Sequence, residues 1–125
     1  MTDTAAVPER LHDHLDRLPG VECRPEFGNR VFYVRATQFA ALTDAAVLMH
    51  LAATDLTDVL RRRIAKPFVS AGAMGRNGWV EIAFDATDPE DLERLLTASH
   101  AAARHSNRRS RARHPSRARK RRSAQ

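Results

Sequence analysis

Apolar residues along the N-terminal third of the chain recur first with a helical period and then with a strand period. Leu11, Leu15 and Leu18 are spaced by four and three residues, and Pro8 stands where a helix would begin. Pro19-Gly20 then interrupts this pattern, and apolar and charged residues alternate over residues 21–24. The pattern predicts a short amphipathic helix that is followed directly by a β-strand.

A run of further strands is predicted downstream of this first one. Phe27-Gly28-Asn29-Arg30 supplies turn chemistry and Val31-Phe32-Tyr33-Val34 is rich in strand-forming residues, so a hairpin is expected. Pro25 indicates that the first strand lies at a sheet edge or ends there, because proline donates no ladder hydrogen bond. The apolar runs at residues 39–42 and 46–51 are expected to continue the meander.

The second half of the chain predicts a helix and two more strands. Thr54 or Asp55 is the expected N-cap, because a short side-chain oxygen accepts from first-turn N–H groups. Residues 67–69 are predicted as a short strand and residues 79–84 as the clearest strand of the protein. The apolar face of this second helix is expected to consist of Leu56, Val59, Leu60 and Ile64.

The final helix has the strongest predicted start. Thr87 or Asp88 offers the N-cap and Pro89 suits the first helical position. The order helix, four strands, helix, two strands, helix predicts an α+β fold: one small domain with a mainly antiparallel sheet of five or six strands and three helices packed against it. The face of the last helix that is directed to the core is expected to contain Leu92, Leu95, Leu96, Ser99, Ala102 and Ala103.

Charge divides the chain into two unlike parts. Ten of the 21 Lys and Arg residues lie from Arg104 onward, where no acidic residue occurs. Residues 1–103 carry the other eleven against all 15 acidic residues, which gives that part a net charge of −4 within a chain of +6. Residues 1–7 are expected to be a flexible N-terminus, residues 8–105 the α+β domain, and residues 106–125, which lack aromatic and branched aliphatic side chains, a disordered tail.

The basic tail is the one sequence feature with a strong physical consequence for binding. Arginine is permanently charged and grips phosphate bidentately, and counterion release makes such binding favourable and sensitive to salt. The tail has no aromatic residue for base stacking, so nearly sequence-independent attachment to nucleic acid or another polyanion is expected; the alternative is a neutral, solubilising extension. The predicted contact residues are Arg108, Arg109, Arg111, Arg113, Arg117, Arg119, Lys120, Arg121 and Arg122.

Composition excludes several classes of protein. A chain of 125 residues with 42% apolar residues has room for one core but not for a separate cofactor-binding domain. No run approaches the roughly 20 apolar residues of a membrane span, and acid stands at the N-terminus where a secretory signal carries base. Cys23 is the one cysteine, so an internal disulfide and a multi-cysteine zinc site are both excluded. A cytoplasmic location without membrane association is expected.

Several short motifs suggest a family: Pro25-Glu26-Phe27-Gly28-Asn29-Arg30, Phe39-Ala40-Ala41-Leu42, Gly78-Trp79-Val80, and Glu90-Asp91-Leu92 with Leu95, Leu96 and Ser99. In these motifs the chain resembles, over residues 8–103, the small bacterial proteins labelled luciferase-domain proteins, and the element order also looks like the YjbR or MmcQ type of compact α/β domain. The resemblance implies the fold, but neither light-producing oxidation nor a catalytic set that can be carried over. Family members often have His near the third strand and Pro or Ser before Gly-Trp, where this chain has Thr43-Asp44 and Arg76-Asn77.

Candidate catalytic and metal-binding residues mostly have simpler explanations. His12 and His14 are two residues apart, so on a helix they point in different directions and cannot share a metal. Cys23 is expected to be a small buried hydrophobe, because Arg24, its neighbour on a strand, faces the other side. No cofactor or metal site is predicted. The acidic group Asp85, Asp88, Glu90, Asp91 and Glu93 is expected to serve mainly in helix capping rather than in cation binding.

Two hypotheses about function remain open at the sequence level. The first is a non-catalytic binding module that the tail attaches to a polyanion, because no catalytic motif is visible. The alternative is a small-molecule site or weak enzyme near the loop of residues 72–78, where Arg76, Trp79 and His50 are the candidate ligand-binding residues. A homodimer through a strand edge or the Ala-rich last helix is a further possibility for the assembly.

Overall fold

The computed structural model describes residues 6–68 and 78–105 of the chain. The helices and strands alternate much as the apolar pattern predicts, and they form the predicted α+β domain. In chain order the elements are α1 (Val7–Asp16), β1 (Val21–Glu26), β2 (Asn29–Val34), β3 (Thr37–Leu42), β4 (Ala46–His50), α2 (Ala53–Arg61), β5 (Lys66–Pro67), β6 (Trp79–Ala83) and α3 (residues 89–105).

The six strands form one sheet in which every neighbouring pair is antiparallel. Their order across the sheet is β1-β2-β3-β4-β6-β5, so β6 lies between β4 and the short β5. The predicted meander over the first four strands is confirmed. Each of the two edge strands contains a proline, Pro25 in β1 and Pro67 in β5. Because proline has no N–H group to donate, both edges are poor templates for a further strand.

Helix α1 begins one residue before the predicted start. Ala6 is its N-cap, Pro8 lies in its first turn, and Leu11 and Leu15 are fully buried. The helix ends at Asp16, and Gly20, with a φ of 72°, turns the chain into β1. A left-handed backbone of this kind is open to glycine without a steric penalty, which explains why Pro19-Gly20 ends the helical pattern as predicted.

A β-bulge in β3 adds a further residue of that strand to the core. Phe32 of β2 pairs with Ala40 and Tyr33 pairs with Gln38, so Phe39 has no partner in the ladder. Phe39 and Ala40 are therefore consecutive residues that both lie in the main core. An alternating strand could place only one of the two on that face.

The main core lies between the three helices and one face of the sheet. Strand residues such as Phe32 and Met49 pack there with Val59 of α2, and the predicted core-facing residues of α3 are buried with the exception of Ala102. The largest fully buried side chains in this cluster are Phe32, Phe39, Leu11, Leu15, Met49, Ile82, Leu92, Leu95 and Leu96.

Three local predictions about the second half were wrong. Helix α2 begins at Ala53 with Ala52 as its N-cap and no side-chain capping bond, so Thr54 and Asp55 lie within its first turn. Leu60 is 36% exposed, because it follows buried Val59 and so lies about 100° around the helix from it. Strand β6 ends at Ala83, and Phe84 is buried in the following turn.

Some predictions fall on residues that the structure does not describe. The expected flexible N-terminus reaches Val7, which is already helical and buried, while residues 1–5 lie outside the described ranges. The same is true of Val69 in the predicted fifth strand, of Arg76 in the glycine-rich loop, and of the predicted disordered tail, residues 106–125. Within the described residues, no helix has the length and apolar character needed to cross a bilayer.

Candidate functional site

The sheet face turned away from the helices carries a second, smaller apolar cluster. Val31, Ala41, Leu48 and Trp79 are at most 5% exposed, and Tyr33 and Phe68 pack against them. We call these six residues the second face. Within the described residues the cluster includes no side chain from α1, α2 or α3.

Strand register explains how the second face is assembled from distant parts of the sequence. Val31, Ala41 and Leu48 are successive cross-strand partners, so their side chains form one row across β2, β3 and β4. The row continues into Glu81 of β6 and begins at Arg24 of β1. Charged residues thus border the second face on both sides of its apolar centre.

His50 and Trp79 are brought together on this face. They are direct partners in the β4–β6 ladder, and their rings meet edge to face with centroids 5.9 Å apart. Two of the three predicted ligand-binding residues are therefore neighbours. Arg76, the third, lies outside the described residues.

Two hydrogen bonds hold the end of β4 that carries His50. The hydroxyl of Ser99 on α3 donates to the His50 carbonyl oxygen at 2.6 Å, and the N–H of Leu51 donates to the carbonyl oxygen of Gly78 at 2.9 Å. Ser99 is 1% exposed, so its bond is shielded from water. The position of His50 is consequently set by both the last helix and the neighbouring strand.

Gly78 is required next to His50 for a steric reason. Its φ is 101°, and a Cβ atom at this position would lie 2.6 Å from His50 Nε2. Real Cβ atoms essentially never make so close a contact, and L-residues rarely adopt this backbone conformation. The glycine of the Gly78-Trp79 pair, noted in the sequence only as a family motif, therefore leaves room for the imidazole of His50.

Polar and charged side chains border the second face on the β1 side. The guanidinium of Arg24 lies 4.6 Å from the centroid of the Tyr33 ring and bonds Glu22 at 3.2 Å. The hydroxyl of Tyr33 donates to Glu26 at 2.6 Å. This hydrogen bond to the carboxylate, with a smaller contribution from burial, raises the pKa of Tyr33, so the phenol stays protonated and acts as a donor.

Three further histidines, His12, His14 and His100, are held in structural contacts. His14 bonds the Thr97 hydroxyl at 2.8 Å and His100 bonds the Pro19 carbonyl oxygen at 2.7 Å, which joins α3 to the first quarter of the chain. His12 Nδ1 lies 3.0 Å from an Arg30 nitrogen. Arginine can only donate, so this ring nitrogen is the acceptor. His12 and His14 face different partners, as their spacing predicted.

Cys23 has the environment of a packing residue. It lies partly buried against the main core, and Arg24 lies on the opposite sheet face, as the alternation predicted. Burial, followed by the field of Asp16, raises the pKa of Cys23 and so disfavours the nucleophilic thiolate.

Asp88 directly precedes α3, in the predicted N-cap position, while Glu90, Asp91 and Glu93 form ion pairs that the sequence did not predict. Asp91 accepts from Arg94 at 2.6 Å, from Arg62 and from the hydroxyl of Thr87, and Glu93 accepts from Arg10 at 2.7 Å. Burial alone would raise the pKa of Asp91, but these hydrogen bonds outweigh it and lower the pKa to about 2. Within residues 6–68 and 78–105, no three His, Cys, Asp or Glu side chains are grouped so that they could hold a metal ion.

The sequence did not indicate that the domain would use so many of its own arginines internally. Six of them contact carboxylates of the same domain at 2.5–3.5 Å. Arg10, Arg30 and Arg62 have partners that are distant along the chain, which is why charge order alone could not reveal those pairs. These six are Arg10, Arg24, Arg30, Arg61, Arg62 and Arg94.

No protein-family model, curated protein or solved structure matches this chain. The predicted resemblance to luciferase-domain and YjbR or MmcQ proteins therefore stays a prediction.

Proposed function

We propose that this protein is a non-catalytic binding module whose basic segment, residues 104–125, attaches it to nucleic acid or to another polyanion. The observation that carries the proposal is the division of charge. The domain has a net charge of −4, and six of its arginines are engaged by its own carboxylates, whereas the terminal segment contains ten basic residues and no acid. Phosphate contacts are thus available chiefly outside the folded domain.

This attachment is electrostatic and weak. Non-specific binding of this kind has a dissociation constant of roughly 10⁻⁴–10⁻⁶ M at physiological salt. Duplexes of equal length and different sequence should accordingly bind with equal affinity. A cytoplasmic location and membership of the luciferase-domain-like group belong to the same proposal and are supported by the sequence features that predicted them.

Matched charge substitutions test the proposal in the full-length protein. Replacing Arg108, Arg109 and Arg111 by Gln should weaken binding to a 30-base-pair duplex about fivefold or more in a fluorescence anisotropy titration at 0.1 M salt. Replacing the exposed domain residues Arg17, Arg61 and Arg63 by Gln removes the same charge and should change the affinity less than twofold. Equal losses from the two triple variants would contradict a role for the terminal segment.

A small-molecule site at the second face is the second candidate. It is favoured by the ladder pairing of His50 with Trp79, which places an imidazole beside a largely buried indole at the edge of an apolar cluster. Small-molecule sites commonly combine an apolar lining with a few placed polar groups. The resulting assignment is a binding protein or weak enzyme, with His50 as the polar contact.

Trp79 is the one tryptophan of the chain, so its fluorescence reports directly on this site. Titration with benzoate and with neutral benzyl alcohol, aromatic probes that do not emit in the tryptophan range, should shift the emission of Trp79 if the site binds ligands. His50→Ala should then reduce the affinity, while His14→Ala, a substitution on the far face, should not. An emission spectrum that neither probe changes would remove this candidate.

A further inference from the structure

The turn between β2 and β3 has a strained backbone. Val34 pairs with Thr37, so Arg35 and Ala36 form a two-residue hairpin loop. Their φ angles are 52° and 67°, and a loop with two positive φ values favours Asn, Asp or Gly. The β1–β2 turn, Phe27-Gly28, also has two positive φ values, 55° and 80°, but its second residue is glycine. Arg35 and Ala36 both adopt a conformation that costs free energy for a residue with a Cβ atom.

Arg35 presents a cation at this strained position. The residue is exposed and lies at the tip of the hairpin. Asparagine would adopt the same backbone at a lower cost, so the folding of the turn does not by itself favour arginine. Strained residues that persist in a fold concentrate at sites where binding or catalysis uses them. The elements around this tip indicate what a cation there would contact.

Helix α3 runs towards the same end of the sheet. Its Thr97 bonds His14 of α1, and its His100 bonds the carbonyl oxygen of Pro19, which follows α1. Val21, two residues after Pro19, begins β1 and pairs with the last residue of β2. The β2–β3 turn comes directly after that residue. The last turns of α3 therefore lie at the end of the sheet that carries this turn.

Arg104, the first of the ten basic residues of the terminal segment, lies at the end of α3. It follows His100 by four residues, which is about 6 Å along a helix. The Ser99 hydroxyl lies 3.2 Å from the carbonyl oxygen of Phe39, and the rings of His100 and Phe39 meet with centroids 5.6 Å apart, so α3 crosses the start of β3. Arg35 and Arg104 thus share one end of the folded domain.

The turns at the two ends of the sheet differ in charge. At the far end, two neighbouring turns carry Asp44, Asp85 and Asp88. At the end that carries the β2–β3 turn, residues 17–20 and 35–36 contain two arginines and no carboxylate. A polyanion held from the end of α3 would therefore meet less repulsion at the β2–β3 turn than at the far turns of this acidic domain.

We propose that Arg35 contacts a phosphate of the nucleic acid that the basic segment binds. The inference rests on the proposed function and extends it, because a contact on the folded domain would fix the orientation of the domain on the nucleic acid. An arginine can hold a phosphate bidentately. Arg17, at the same end of the sheet, lies in the field of Glu93 and helps to lower the pKa of that carboxyl, so its charge already acts within the domain.

Matched asparagine substitutions in the full-length protein test this contact. Arg35→Asn removes the cation and relieves the turn, so it should weaken binding to a 30-base-pair duplex about threefold at 0.1 M salt while it raises the melting temperature. The slope of log K against log salt concentration should become shallower by about 0.9. Arg35→Lys keeps the charge and should bind within about twofold of the wild type.

Arg63→Asn is the matched control. Arg63 is also exposed, has a φ of 62°, and follows α2 at the far end of the sheet. Its substitution removes the same charge from the same kind of backbone, and it should change the affinity less than about 1.5-fold and leave the slope as it is.

The three affinities and the melting temperatures decide between the possible roles of Arg35. A loss of affinity in Arg35→Asn alone, with a higher melting temperature, supports the contact, because a purely structural role would lower stability and binding together. Equal affinities of Arg35→Asn and wild type would overturn the contact but leave the basic segment as the binding site. Equal losses in Arg35→Asn and Arg63→Asn would also overturn it, since only net charge would then matter. A wild-type protein that does not bind the duplex would overturn the proposed function and this contact with it.

Discussion

At the scale of single residues, the clearest demands come from positive φ angles. Gly78 and Gly28 both lie in the left-handed region, with φ of 101° and 80°. A Cβ at Gly78 would collide with the His50 ring, whereas a Cβ at Gly28 would meet nothing within 4 Å. Substitutions at the two glycines therefore distinguish the free-energy cost of the backbone conformation from the cost of a steric clash.

Gly78→Ala should destabilise the domain more than Gly28→Ala does. We expect about 1–2 kcal/mol from the backbone in both variants, and a further ~1–2 kcal/mol in Gly78→Ala from the contact with His50. Urea denaturation measures both values. The double variant Gly78→Ala, His50→Ala should recover part of the additional loss. Equal destabilisation by the two single variants would contradict the steric role of Gly78.

Phe27→Asn should stabilise the isolated protein. Asparagine followed by glycine is the favoured pair for this hairpin loop, and the substitution also removes an exposed phenyl ring, so a gain of roughly 0.5–1 kcal/mol is expected. Thermal denaturation of the purified variant checks the value, with Phe27→Leu as the control that keeps an apolar side chain on the same backbone. A lower melting temperature for Phe27→Asn would show that the turn does not strain this position.

At the scale of secondary-structure elements, buried polar contacts join α3 to the rest of the fold. The Ser99 hydroxyl lies 2.6 Å from the carbonyl oxygen of His50 and 3.2 Å from that of Phe39. Ser99→Ala should cost about 1–2 kcal/mol, because the His50 carbonyl oxygen loses a donor that is shielded from water. Thr97→Ala removes a hydroxyl from an exposed site on the same helix and should cost about 0.5 kcal/mol or less. Equal costs in urea denaturation would contradict the importance of burial.

The contacts of Asp91 with Arg62 and Arg94 give the junction of α2 and α3 a defined acid sensitivity. The pKa of Asp91 falls from an ordinary value of 3.8 to about 2 in the folded protein. Stability linked to this lowered pKa is present above pH 3.8, and it declines as the pH falls towards 2.

Asp91→Asn should therefore destabilise the protein by about 1–2 kcal/mol at pH 6, and this difference from the wild type should shrink as the pH approaches 2. Thermal denaturation between pH 6 and pH 2 measures the difference. Asp13→Asn, a substitution on the exposed face of α1, is the matched control. A difference for Asp91→Asn that did not change with pH would contradict the lowered pKa.

Sequence patterns predicted the elements well where each pattern was local. The strands of the first meander follow from alternation and turn residues, and the core face of α3 follows from the spacing of Leu92, Leu95 and Leu96. The bulge at Phe39 was not predictable, because Phe39-Ala40-Ala41-Leu42 is apolar on both faces and so shows no break in its pattern. The start of α2 at Ala53 was missed because no side chain caps it.

The sequence predicted that His50 and Trp79 belong to one site, but it did not predict the contacts that bring them together. His50 and Trp79 become neighbours because β4 pairs with β6. Helix α2 and strand β5 separate these two strands in the sequence, so no local pattern indicates the pairing. The contact of Tyr33 with Glu26 was not predicted either. A carboxylate next to a strand that contains a tyrosine could have indicated it. The pair of Arg10 with Glu93 was equally hidden, because the two residues lie near opposite ends of the domain's sequence.

At the scale of the whole molecule, two regions of opposite charge share one chain. The folded domain combines a net charge of −4 with internally paired arginines, while the last 22 residues hold ten positive charges. If polyanion binding resides in that segment, its salt dependence should follow the number of basic residues there rather than the net charge of +6.

The salt dependence of DNA binding tests this account most directly. For the full-length chain, the slope of log K against log salt concentration for a duplex should lie between about −4 and −9, since each phosphate contact contributes about −0.9. Replacing the nine basic residues from Arg108 to Arg122 by Gln should bring the slope to about −1 or weaker. An unchanged slope in that variant would contradict the account and place the polyanion site on the folded domain.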